Sequence, residues 1–74
     1  MPGKIPRDLR QSEVVAALVR LGGVERRGKG SHRVVNMPNG RAVSVPSTVK
    51  VGTLRSALRL AECSVDEFTR QLRR

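Results

Sequence analysis

A turn in the middle of the chain constrains the fold more than any other feature. Residues 37–40 read Met-Pro-Asn-Gly, and valine-rich segments lie on either side of them. Proline presets the first corner of a type I turn, asparagine suits the second, and glycine takes the left-handed position that follows. The pattern predicts a β-hairpin with strands from Ser31 to Met37 and from Arg41 to Pro46. A register shift of one residue would move His32 to the other face of the sheet.

Helical periodicity precedes this hairpin. Apolar residues between Val14 and Leu21 recur at the three-and-four spacing of one helix face. We expect this helix to begin at Asp8 or to be capped by Ser12, since both residue types are acceptable N-caps. The glycine pair at 22–23 is expected to end it, because glycine tolerates the left-handed conformation that closes helices.

Two more helices are predicted after the hairpin. Thr53 is placed to cap a helix whose apolar line starts at Leu54, and Ser64 with Glu67 forms a capping box at the start of a last short helix. The segment 24–27 is a weaker prediction of a strand ahead of the hairpin. The predicted order is therefore helix, three strands, helix and short helix.

This order predicts an α+β fold in which a three-stranded antiparallel sheet is covered by helices on one face. The chain has 74 residues, which is enough for one domain, and we expect a basic N-terminal arm over residues 1–7 and a single domain over residues 8–74. The predicted core consists of Val14, Leu18, Leu21, Val35, Val43, Val45, Leu54, Leu58 and Phe68.

The charge balance indicates the class of partner. Fifteen Lys and Arg residues against six Asp and Glu residues leave a net charge of +9, which favours nucleic acid or an acidic protein as a partner. A single Cys and a single His exclude an internal disulfide and a zinc site of the usual Cys/His kind. Because we find no signal peptide, no apolar span and only one aromatic residue, we expect a cytoplasmic protein that does not bind membranes.

The most informative stretch is residues 26–33, Arg-Arg-Gly-Lys-Gly-Ser-His-Arg, which holds four cations and the only histidine without any acid. Glycines on both sides of Lys29 let the backbone approach a ligand closely, so the loop is suited to phosphate. A solvated hairpin loop that only confers solubility is an equally good interpretation. The candidate RNA- or phosphate-binding residues in the loop are Arg27, Lys29, Gly30, Ser31 and Arg33.

His32 is the candidate catalytic residue. Imidazole takes and gives protons near neutral pH, and RNA cleavage needs a base for the 2′-OH and an acid for the leaving 5′ oxygen. The competing interpretation is an incidental strand histidine. Lys50 and Thr53, at a predicted helix start, form a second candidate phosphate site, for which an ordinary helix cap is the alternative.

Several short motifs, in this order, resemble the HicA family of small bacterial toxins over about residues 10–72. They are Gly-Lys-Gly-Ser-His-Arg at 28–33, Pro-Asn-Gly-Arg at 38–41, Val-Pro at 45–46, Gly-Thr-Leu-Arg-Ser at 52–56 and Val-Asp-Glu-Phe at 65–68. Gly-Ser-His alone is a weak match, but the ordered set is specific. Many family members have a second histidine just after Val-Pro, where this chain has Ser47-Thr48.

The resemblance implies a double-stranded-RNA-binding-like α-β-β-β-α fold with a short extra C-terminal helix. It further implies a toxin that cleaves mRNA and stops translation, with no metal or other cofactor, and a HicB-type antitoxin that covers its site. The family's catalytic histidine corresponds to His32, and its glycine and serine to Gly30 and Ser31.

Three hypotheses about function follow. The first is an endoribonuclease toxin with His32 as general acid or base. The second is a noncatalytic RNA-binding module of the same fold, which shares every charge with the enzyme and differs from it only in the role of His32. The third is a chain that chiefly binds an acidic protein partner. Cleavage by the purified chain, and its loss in the His32→Ala variant, would separate the first hypothesis from the others.

Overall fold

The computed structural model describes residues 6–72 and confirms the predicted order of elements. They are α1 (Gln11–Arg20), β1 (Val24–Arg27), β2 (Arg33–Asn36), β3 (Ala42–Val45), α2 (Val51–Ala61) and α3 (Val65–Leu72). The fold is therefore α+β with an open three-stranded sheet. Residues 1–5 of the predicted basic arm lie outside the described residues, and Pro6 and Arg7 have no regular secondary structure.

The sheet is antiparallel throughout, with β2 between β1 and β3. Val35 pairs with Val43, and Arg33 pairs with Val45, so these four residues share one face. The three valines are at most 2% exposed beneath the helices. Successive residues of a strand point to opposite faces, so Val34 and its partner Ser44 lie on the uncovered face.

The predicted turn is confirmed and sets this register. The N–H of Gly40 donates to the carbonyl oxygen of Met37 at 2.9 Å, and the N–H of Met37 donates to the carbonyl oxygen of Arg41 at 2.8 Å. Gly40 has φ +87°, which favours glycine there. The Asn39 side chain accepts a hydrogen bond from the N–H of Arg41 at 2.9 Å. Both strands are shorter than predicted, and β2 starts at Arg33 because residues 29–32 form a turn of their own.

The predicted N-caps of the first helix, Asp8 and Ser12, are wrong. The N-cap is Arg10, whose backbone is extended and forms an isolated bridge with Thr48. The Glu13 side chain accepts a hydrogen bond from the N–H of Arg10 at 2.8 Å, as in one half of a capping box. Arg10, where α1 begins, thus combines a local cap with pairing to a distant segment.

The predicted end of α1 is confirmed. Gly22 has φ +105°, and the N–H of Gly23 donates to the carbonyl oxygen of Leu18 at 3.0 Å. The N–H of Gly22 donates to the carbonyl oxygen of Val19 at 2.9 Å, which completes a Schellman motif. The chain turns there into β1.

The start of α2 differs from the prediction, and the start of α3 agrees with it. Lys50, not Thr53, is the N-cap of α2, and the helix begins at Val51. Thr53 is therefore the third helical residue and half-buried. At the start of α3, the N–H of Ser64 donates to the Glu67 carboxylate and the N–H of Glu67 donates to the Ser64 hydroxyl, both at 3.1 Å. Hydrogen bonds from Ser64 to the Glu67 carboxylate lower the pKa of that carboxyl group.

The core lies between the helices and the covered face of the sheet. Eight of the nine predicted core residues are buried, and Leu21 packs at the edge of the cluster, partly exposed. Phe68, fully buried, brings α3 onto the core. The core is completed by Val15, Ala17, Met37, Val49, Ala57 and Ala61.

Candidate functional site

A groove of about 530 Å³ opens where the β1–β2 connection meets the start of α1. It brings together most of the basic stretch singled out in the sequence. The groove is lined by Gln11, Glu25, Arg26, Arg27, Gly28, Gly30, Ser31, His32 and Arg33.

A tight turn presents His32 to solvent. The N–H of His32 donates to the carbonyl oxygen of Lys29 at 3.1 Å, and Gly30 within this turn has φ +59°. This turn places His32 just ahead of β2, outside the strand, and His32 is exposed to solvent. Lys29, at the other end of the turn, is exposed as well. A solvent-reachable imidazole and an ammonium group thus lie on one short turn.

Gly28 is required by the position of the His32 backbone. A Cβ atom at position 28 would lie 2.6 Å from the His32 carbonyl oxygen and 3.1 Å from its carbon. Contacts under 3.0 Å force a shift, so a side chain at 28 would displace His32. Gly30 differs, because a Cβ atom there would meet no atom within 4 Å, and its φ is the reason for glycine.

Arg33 already holds an ionic partner. Its Nε donates to one oxygen of the Glu25 carboxylate at 2.6 Å and its Nη2 to the other at 2.8 Å, a bidentate pair. The hydrogen bonds lower the pKa of Glu25 and raise that of Arg33. Glu25 lies one residue before the eight-residue basic stretch, so the stretch itself has no acid but its groove does. A phosphate that binds Arg33 must therefore compete with or rearrange this pair.

Gln11 is a site residue that the sequence analysis missed. It is the first residue of α1, and its Nε2 donates to the carbonyl oxygen of Ser31 at 2.5 Å and to that of Val45 at 2.9 Å. The side chain thus joins the helix start, the His32 turn and β3. No local pattern marks such a residue, because its two acceptors lie 20 and 34 positions away.

The comparison with protein families decides the identity of the chain. A family model described as the HicA toxin of bacterial toxin-antitoxin systems matches residues 12–63. The chain belongs to the HicA toxin family. The matched region begins in α1, runs through the whole His32 turn and all three strands, and ends just after α2. No curated protein matched the chain.

Membership of the HicA family has a direct consequence for partners. A HicA protein is the toxin of a toxin–antitoxin pair, so a cognate antitoxin is its partner. The exposed cations Arg26 and Arg27, which line the groove, and Lys29, on the turn beside it, offer an acidic protein or a nucleic acid the same electrostatic attraction.

The two candidate phosphate sites of this HicA chain lie in different grooves. Lys50 lines a groove formed with the segment before α1, in which Arg7 and Arg10 also take part. This groove shares no lining residue with the groove of His32. Thr53 lies in the first turn of α2 and lines neither of the two. The structure thus groups Arg27, Gly30, Ser31 and Arg33 with His32, and leaves Lys50 and Thr53 apart.

The described part of this HicA chain has neither a candidate metal cluster nor a membrane-spanning helix. Among residues 6–72, no group of three or more His, Cys, Asp or Glu side chains is placed to hold a metal ion. None of the three helices in that range has the length and apolar character needed to cross a membrane.

Proposed function

We propose that this HicA-family chain is an endoribonuclease that cleaves mRNA and thereby blocks translation. The observation that carries the proposal is the exposed His32, held on a tight turn within a groove lined by Arg27 and Arg33. His32 acts as general acid or base, and the family resemblance implies that neither a metal nor another cofactor is needed. A HicB-type antitoxin covers the groove.

The chemistry divides between the histidine and the cations. Cleavage takes a proton from the 2′-OH, forms a bond from that oxygen to phosphorus, breaks the bond from phosphorus to the 5′ oxygen, and gives the leaving 5′ oxygen a proton. His32 serves one of these proton steps. Lys29 and Arg27, both exposed, bind the scissile phosphate and its charge as it develops. Arg33 joins them once the phosphate displaces Glu25 from its guanidinium.

RNA is held mainly through its backbone. The chain has a single aromatic residue, Phe68, and that residue is fully buried, so no aromatic platform stacks bases. Positive charge on the groove attracts phosphates of any sequence. We therefore expect loose sequence preference. Lys50 and Thr53, at the start of α2, contact neighbouring phosphates of the same strand.

The test compares the purified chain with its His32→Ala variant on a structured mRNA fragment, with and without EDTA. We expect cleavage by the wild type in both conditions and at least a hundredfold slower cleavage by the variant, with RNA affinity nearly unchanged because the cations remain. Because His32 is exposed, the variant should fold normally. Binding without cleavage by the wild type would instead support the noncatalytic RNA-binding module.

A cellular experiment tests the toxin role separately. Expression of the chain alone should arrest growth, and the His32→Ala variant should not. Co-expression of the protein encoded next to it should restore growth if that protein is the antitoxin. Growth arrest by the His32→Ala variant at equal expression would show that toxicity does not depend on this imidazole.

A further inference from the structure

The peptide group between Ser31 and His32 is held at both of its polar ends. Its carbonyl oxygen, on Ser31, accepts a hydrogen bond from the Gln11 amide at 2.5 Å. Its N–H, on His32, donates to the carbonyl oxygen of Lys29 at 3.1 Å. A peptide group is planar, so fixing both ends fixes the plane and with it the Cα atom of His32.

The two restraints differ in origin. The Lys29 bond closes a turn within the loop, and by itself it would let the whole turn swing about the ends of β1 and β2. Gln11 lies on a different element, and the same Nε2 also donates to the backbone carbonyl oxygen of Val45, in β3, at 2.9 Å. The amide therefore ties the turn to α1 and to the last residue of the edge strand β3. Both N–H groups of the amide are used in this way.

We propose that Gln11 is a positioning residue for His32. This inference rests on the proposed function, because it assigns Gln11 a role in the step that His32 performs. The Gln11 amide holds the Ser31–His32 peptide so that the imidazole faces the phosphate bound by the groove cations. It acts on the reaction only through that peptide and exchanges no proton with the RNA.

The size of the effect follows from the geometry. A displacement of about 1 Å at a reacting group costs on the order of a hundredfold in rate. Without the Gln11 donors the turn keeps its internal bond but loses its attachment to α1 and β3. We therefore expect the turnover number to fall roughly ten- to hundredfold while RNA affinity changes less than threefold, since the cations stay in place.

Gln11→Met is the variant of choice, because methionine keeps the length and neutrality of glutamine and removes both N–H donors. Gln71→Met on α3 is the matched control, the same chemical change away from the groove. Gln11→Lys is the rescue variant, since its ammonium group is a hydrogen-bond donor of similar reach. Cleavage kinetics are measured on RNA, affinity on the 2′-O-methyl analogue of the same sequence, which cannot be cleaved, and folding by thermal melting.

The expected result is a loss confined to the turnover number in Gln11→Met, with substantial recovery in Gln11→Lys and none of the loss in Gln71→Met. Wild-type turnover in Gln11→Met overturns the inference. So does a loss that appears in affinity or as unfolding at the assay temperature, because Gln11 then supports the domain as a whole. If the wild type is active and His32→Ala is not, any of these failures concerns Gln11 alone. A wild type that cleaves no RNA ends the proposed function together with this inference.

Discussion

The substitution Gly28→Ala tests whether the backbone position of His32 controls activity. The added Cβ atom would lie 2.6 Å from the His32 carbonyl oxygen, and also 3.1 Å from Cγ2 of Val34. The valine side chain can turn away, but the carbonyl oxygen moves only with the backbone. Moving the two atoms apart to the 3.0 Å limit, below which a Cβ contact forces a shift, requires roughly half an ångström, for which a loss of about tenfold in cleavage rate is expected. Overpacking of this kind also costs about 1–3 kcal/mol of stability.

Gly40→Ala is the matched control for the loss of stability. Gly40, in the turn at residues 37–40 between β2 and β3, has φ +87°, and a Cβ atom there would meet nothing within 4 Å. The cost is the left-handed conformation itself, about 1–2 kcal/mol, which is of the same order as the cost of Gly28→Ala. Each variant should therefore lower the Tm by several degrees, since about 1 kcal/mol corresponds to roughly 4–8 °C in a domain of this size.

The assay measures cleavage of one RNA at a temperature well below the Tm of both variants, together with urea unfolding of each. We expect Gly40→Ala to cleave at the wild-type rate and Gly28→Ala to be slower by about tenfold. Equal rates in Gly28→Ala and the wild type would refute the reasoning about His32. An equal loss in both variants would show that the rate follows overall stability and not the position of one carbonyl group.

Three further predictions concern stability and binding. Phe68→Ala removes the fully buried ring that brings α3 onto the core, and should cost about 3–5 kcal/mol, enough to unfold most of a domain this small; circular dichroism at 25 °C checks this. Glu62→Gly should raise the free energy of unfolding in urea by roughly 1 kcal/mol, because Glu62 ends α2 with φ +54°, a conformation that favours glycine. An unchanged or lower free energy of unfolding would mean that the 3.8 Å contact of Glu62 with Arg41 outweighs the backbone strain. Glu25→Gln frees the Arg33 guanidinium, so it should tighten RNA binding several-fold and make the salt dependence of RNA affinity steeper by about one phosphate contact. Unchanged affinity in a salt titration would argue that Arg33 does not bind RNA.

The sequence by itself determined the elements whose signals are local. The turn at residues 37–40, the glycines that end α1 and the capping box of Ser64 and Glu67 each depend on at most six consecutive residues, and all three were predicted correctly. The spacing of apolar residues changes from that of a helix to that of a strand along the chain. This change was enough to predict the α-β-β-β-α order. His32 could be singled out for the same reason, since it is the only imidazole and lies within a run of cations.

Tertiary structure decided the features that depend on partners far apart in the sequence. Just before α1, Arg10 pairs with Thr48, a contact that no helix-capping rule contains. The Arg33–Glu25 pair exists because the β1–β2 register places both side chains on the same face of the sheet. The bonds from Gln11 require α1, the His32 turn and β3 to meet, and only the packing of the helix on the sheet brings them together.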